Sequence, residues 1–113
     1  MALQDLTSEE QQIVLDCLKA SVEGPFFPEW EFSTLFGLSR EEVRSVIQKW
    51  PVDDTSDEIA ARAINNAMNN LLGYPHQEKE AWYQYISVSQ EEVHATLEKW
   101  RGDDVNQYFD GMR

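Results

Sequence analysis

An internal repeat at a spacing of 50 residues constrains this chain more than any other feature. Ser39 to Asp54 reads S-R-E-E-V-R-S-V-I-Q-K-W-P-V-D-D, and Ser89 to Asp104 reads S-Q-E-E-V-H-A-T-L-E-K-W-R-G-D-D, with 8 of the 16 aligned positions identical. The likeness extends upstream in character: Pro25 aligns with Pro75, Phe32 with Trp82, Phe36 with Ile86 and Leu38 with Val88. The apolar set Ile13, Val14, Cys17, Leu18 and Val22 aligns with Ala63, Ile64, Ala67, Met68 and Leu72. Duplication of one unit explains these matches. Repeat 1 is expected over about residues 7–54 and repeat 2 over about 55–104, with a tail at 105–113, all in a single domain 1–113.

Each copy carries punctuation for three helices. The first opens at Thr7-Ser8-Glu9-Glu10, where Thr7 and Glu10 form a capping box, and it ends at Gly24-Pro25. Its apolar residues recur at 13, 14, 17, 18 and 22, which is helical spacing. A shorter helix is expected from about Pro28 to Phe36, stopped by Gly37. The third is capped by Ser39 and Glu42, buries Val43, Val46, Ile47 and Trp50, and stops at Pro51. In the second copy Thr55-Ser56-Asp57-Glu58 reads as another capping box, about two residues ahead of its counterpart, opening an apolar face that includes Ile59, Ile64, Met68 and Leu72. A helix from roughly Gln77 to Ile86 follows. The last is capped by Ser89 and Glu92, buries Val93, Leu97 and Trp100, and ends at Gly102, with Val105, Tyr108 and Phe109 available to dock the tail. No segment alternates over strand length. The expected fold is all-α, a bundle of about six helices from two tandem three-helix repeats.

Composition bounds the functional classes. A hydrophobic fraction of 42% over 113 residues supports a folded core, and no apolar run is long enough to span a bilayer. The start, Met-Ala-Leu-Gln-Asp, lacks the basic and apolar regions of a signal peptide, and the single cysteine, Cys17, has no internal partner. A soluble, cytoplasmic protein is expected. Nine Lys and Arg against 21 Asp and Glu give a net charge of −12, which repels nucleic acid and anionic lipid and favours encounter with basic partners.

The segment Phe32 to Trp50 resembles a bacterial helix-turn-helix unit, through Phe36-Gly37-Leu38-Ser39 at the corner; the second copy has Ile86-Ser87-Val88-Ser89. The resemblance implies helix-turn-helix-like corners and a DNA-facing helix presenting Arg40, Glu41, Arg44, Ser45 and Gln48, or Gln90, Glu91, His94, Ala95 and Glu98 in the second copy. The carboxylates on that face oppose a phosphate backbone. By size, charge and helical content the chain is also similar to small acidic immunity and antitoxin-type proteins.

Three patches are candidate partner-binding sites. Asn65, Asn66, Asn69 and Asn70 form amide rows on one helix, although each Asn costs about half a kcal/mol of helix propensity against Ala. They either face a partner or tie down backbone in the Gly24–Pro28 or Leu72–His76 loops. Phe26, Phe27 and Trp30 crowd a stiff loop that either forms an interface hot spot or seals the join between the copies. Asp53, Asp54 and Asp57, with Glu58, form an acidic cluster whose spacing lacks the ligand pattern of a calcium loop. Asp103 and Asp104 repeat it in the second copy. No catalytic set can be assembled from Cys17, His76 and His94, and no cofactor or metal is implied. The reading is a non-enzymatic acidic module binding a basic protein, with a helix-turn-helix-like DNA-associated regulator second and a small enzyme third.

Overall fold

Six α-helices follow a short 3₁₀ turn (Leu3–Asp5), and the residues at their starts account for their bounds. The computed structural model describes the backbone of residues 2–111 and the side chains of residues 2–102; no strand occurs among them. α1 (Ser8–Glu23) and α3 (Arg40–Gln48) both open on complete capping boxes. The Thr7 hydroxyl accepts from the Glu10 N–H while the Glu10 carboxylate accepts from the Thr7 N–H, and Ser39 and Glu42 do the same. α2 (Glu29–Phe36) follows Pro28 and stops at Gly37, which takes a left-handed φ of 65°.

The second half differs from expectation at three points. α4 (Glu58–Gly73) is capped by Asp57, whose carboxylate accepts from the Ile59 and Ala60 N–H groups at 3.1 Å each. Thr55 is no cap, because its hydroxyl donates to Asp53 instead. α5 (Lys79–Tyr85) begins later than Gln77, since Gln77 has a φ of 59° that no α-helix admits. α6 (Gln90–Gly111) opens on Ser89 and breaks at Gly102, with φ 74° and ψ −175°, but its helical backbone then resumes. The expected docking of Val105, Tyr108 and Phe109, and any role of Asp103 and Asp104, lie outside the described side chains. α4, α5 and α6 start at Glu58, Lys79 and Gln90, each fifty residues after the starts of α1, α2 and α3.

α1 and α4 form the centre. α1 packs on α3, α4, α5 and α6, and α4 packs on α1, α2, α3 and α6. Their shared interior is fully buried: Val14, Cys17 and Leu18 from one helix, Ala60, Ala63, Ile64, Ala67 and Met68 from the other. The three alanines let neighbouring backbones approach closely. Ile59, expected on the apolar face, is 44% exposed, because it sits in the first turn at an open edge shared with the polar Glu42, Ser45 and Lys49 of α3. The radius of gyration of 13.5 Å matches the roughly 13 Å of a compact domain near this length. No helix among the described residues is long and apolar enough to cross a membrane.

One buried carboxylate ties together three distant parts of the chain. Asp54, 7% exposed, accepts the Leu3 N–H on both oxygens at 3.1 Å and the Trp100 indole N–H at 2.7 Å. Gln11 holds the same N-terminal turn from the other side, donating to the Leu3 and Leu6 carbonyls at 2.9 and 3.2 Å. At the surface, Lys99 of α6 reaches Glu10 of α1 at 2.7 Å. That hydrogen bond, then the Thr7 N–H, lowers the Glu10 pKa below the ordinary glutamate range.

Asp54→Ala strands two buried donors and is expected to lower unfolding free energy by roughly 2–4 kcal/mol in urea titration, with Asp54→Asn costing about half as much. Glu10 has a folded pKa depressed below its unfolded value, so its contribution is complete above the unfolded value and disappears as pH falls through the folded one. Glu10→Gln is therefore expected to be less stable than the parent at about pH 7 and equal to it at about pH 2, read from melting temperatures across the pH range.

Candidate functional site

The asparagine rows serve helix ends. The last carbonyls of a helix have no partner within it. Asn66 Nδ2 donates to the Phe36 carbonyl at 2.7 Å and Asn70 Nδ2 to the Leu35 carbonyl at 3.0 Å, so α4 supplies the missing partners for the end of α2. Neither of the two loops anticipated from sequence is their target. Asn65 donates to Asn66 at 3.0 Å and accepts from Arg101 Nε at 3.0 Å, while the exposed Asn69 takes only a long 3.4 Å contact from Arg101. The chain Arg101–Asn65–Asn66–Phe36 thus joins α6, α4 and α2, which offsets the poor helix propensity of the cluster.

The aromatic loop divides. Phe26 and Phe27 are buried, which removes them from any exposed surface. Phe26 sets its edge against His76, Tyr85 and Trp82 at 4.9, 5.9 and 6.2 Å between centroids. Phe27 lies against Phe36 and Tyr74 at 5.4 and 5.6 Å, and Phe32 stacks on Phe36 at 4.2 Å. The two rings therefore seal the first half against the second, because His76, Trp82 and Tyr85 cover Phe26 while Phe32, Phe36 and Tyr74 cover Phe27. Trp30 is 79% exposed, on the first turn of α2 between Glu29 and Glu31.

The acidic residues also separate. Asp53 is exposed and accepts from the Thr55 hydroxyl and N–H, which lower its pKa below the ordinary aspartate range. Asp57 is occupied as the α4 cap, and Asp54 is buried on Leu3 and Trp100. A contact surface is thus left with Asp53 alone of the three, together with Glu58. No group of three or more His, Cys, Asp or Glu side chains able to hold a metal occurs among the described residues.

The face that a helix-turn-helix unit turns to DNA is internally paired. Arg40 folds back: its guanidinium donates to the Val22 and Ser21 carbonyls at 2.6 and 3.3 Å, lies 4.4 Å from the Phe32 ring centroid and sits 2.9 Å from Glu29. Arg44 pairs with Glu41, and His94 lies 3.5 Å from Glu98. Sequence reasoning placed Arg40 outward. The missed signal was Pro25, which has no N–H and leaves the Ser21 carbonyl, four residues upstream, for a side chain to satisfy.

The remaining reactive side chains are structurally occupied. Burial pushes the Cys17 thiol pKa far up, so it stays protonated. His76 accepts from the Glu78 N–H at Nδ1, at 3.0 Å, which fixes its other nitrogen as the donor to the Leu71 carbonyl at 3.1 Å. The Tyr74 hydroxyl bonds Glu31, which raises the Tyr74 pKa. Two side chains are exposed that the sequence did not mark as such: Tyr83, 66% exposed on α5 and not singled out, and Ile59, expected on the apolar face. Neither interrupts its local pattern. No protein-family model, curated protein or solved structure matches this chain.

Asn66→Ala gains helix propensity but strands a carbonyl, and is expected to lose about 1 kcal/mol net. Asn69→Ala, with no short bond to lose, is expected to be neutral or to gain up to about 0.5 kcal/mol. Chemical denaturation of both variants checks the contrast.

Proposed function

We propose that the chain is a non-enzymatic, acidic protein-binding module that engages a basic protein in the cytoplasm, in the way small immunity and antitoxin-type proteins do. One observation carries this reading: a tryptophan 79% exposed and flanked by glutamates, on a chain of net charge −12. Tryptophan is the residue most enriched in interface hot spots, and an isolated exposed one costs solubility unless it is used. The charge supports it further, and four of the nine cations are engaged within the fold. Arg40, Arg44, Lys99 and Arg101 all bond to neighbouring groups of the chain. Exposed Glu9, Glu23, Glu58 and Glu91 then contribute to a negative field that the exposed Lys19, Lys49, Arg62 and Lys79 only partly offset. That field speeds encounter with a positive surface, and burial of Trp30 supplies affinity after contact.

The test is capture from a lysate of the native host on the immobilised chain, with wild type and Trp30→Ala in parallel and duplex DNA as a separate arm. A basic protein is expected, released as salt rises, with affinity at least about tenfold lower for Trp30→Ala while the melting temperature stays unchanged. Salt-sensitive retention of DNA, or a captured protein indifferent to both salt and Trp30, overturns the reading.

A further inference from the structure

Pro25 and Pro75 pose the same problem in the two halves, and the halves answer it differently. Neither proline has an N–H, so the Ser21 and Leu71 carbonyls lose their helical partners. In the first half Arg40 fills the corner. It bonds the Val22 and Ser21 carbonyls and, at 3.4 Å, that of Phe27, with its guanidinium over Phe32 and beside Glu29. Fifty residues on, Arg40 is replaced by Gln90, Phe32 by Trp82 and Glu29 by Lys79. His76 serves the Leu71 carbonyl, but no hydrogen bond among the described residues reaches the Leu72 carbonyl, the counterpart of the one Arg40 holds at 2.6 Å.

The corner is correspondingly hollow. Two open surface depressions adjoin at Lys79 and Gln90, one of about 220 Å³ walled by Trp82, Tyr83 and Glu91, the other of about 270 Å³ reaching Leu72. Each is several times the roughly 30 Å³ that one water takes up. Resting on the reading of a basic partner, we propose that this corner is a socket for an arginine side chain of that partner. The first half displays the occupied form of the socket, with the chain's own Arg40 as occupant. The incoming guanidinium lies against Trp82, a better cation–π surface than phenylalanine, and donates to the Leu72 carbonyl, with the Glu91 carboxylate on the wall. Trp82 is 2% exposed and has the His76 ring stacked at 6.4 Å, so the arginine enters by displacing the Gln90 and Lys79 side chains that line the corner with it. A lysine ammonium lacks the planar fork that reaches carbonyl and ring together. Lys79 opposes the guest's charge and holds the affinity of the socket below that of the Arg40 corner.

The experiment titrates the full chain with the blocked tripeptides Gly-Arg-Gly and Gly-Lys-Gly, reading the Trp82 indole and Gln90 amide signals by NMR. A saturable shift is expected with the arginine peptide and a clearly weaker one with lysine. Gln90→Arg is expected to plug the socket from within, abolishing the shift and raising the melting temperature. Lys79→Glu is expected to tighten binding by about fivefold. Equal responses to the two peptides, or an unchanged response in folded Gln90→Arg together with no gain in Lys79→Glu, overturn the socket. Arginine shifts confined to signals around Trp30, or no shift anywhere with either peptide, overturn the socket and leave the acidic-surface reading to the capture experiment.

Discussion

A helix leaves its last carbonyls unpaired, and a chain of this length cut into six helices has many such ends to satisfy within one compact body. Much of the polar chemistry here answers that requirement. Asn66 and Asn70 complete α2, Arg40 completes α1, and His76 serves α4. Each donor comes from a different element than the carbonyl it serves, or from the loop beyond it. Satisfying the ends therefore also fixes how the helices sit on one another. The bond from Asn66 to Phe36 both closes α2 and sets it against α4.

The same requirement shapes the surface. Cations recruited to helix ends and cross-helix pairs are withdrawn from the solvent field. Arg40, Arg44 and Lys99 each take a carboxylate with them, Glu29, Glu41 and Glu10, so the excess of 21 acidic over nine basic residues remains in the solvent field. It also dismantles the face on which a DNA contact would depend, since Arg40 spends its donors on backbone and Arg44 is held by Glu41. The surface that results is acidic, with Trp30 as its one large exposed ring on α2.

Legibility in the sequence followed the range of each interaction. The capping boxes at Thr7–Glu10 and Ser39–Glu42 span three residues, so the local string contains both partners, and the helix starts could be read directly. The junction was harder because Thr55 and Asp57 are both competent caps; the choice turned on the Thr55 hydroxyl finding Asp53 first. The Asn cluster was visible as an anomaly, but its purpose was not, because its carbonyl partners lie 30 and 35 positions away. Asp53 and Asp54 are indistinguishable as neighbours in a string. One caps a turn in water and the other is buried, a difference made by Leu3 and Trp100 from the two ends of the described core. Phe26 and Phe27 needed the second half in place before their burial could be known, whereas Trp30 needed nothing, since no element covers it.

The carboxylate of Asp54 has a consequence for the order in which the molecule can be made. Its partners are Leu3 and Trp100, so the backbone partner is synthesised before Asp54 and the indole that completes the junction comes 46 residues after it. Until Trp100 leaves the ribosome, Asp54 faces either water or a charge buried with a missing donor, and the latter is costly. Closure of the junction is thereby coupled to synthesis of α6. A truncated product ending before α6 lacks both the indole that engages Asp54 and the Lys99 that engages Glu10, and so carries a built-in mark of incompleteness.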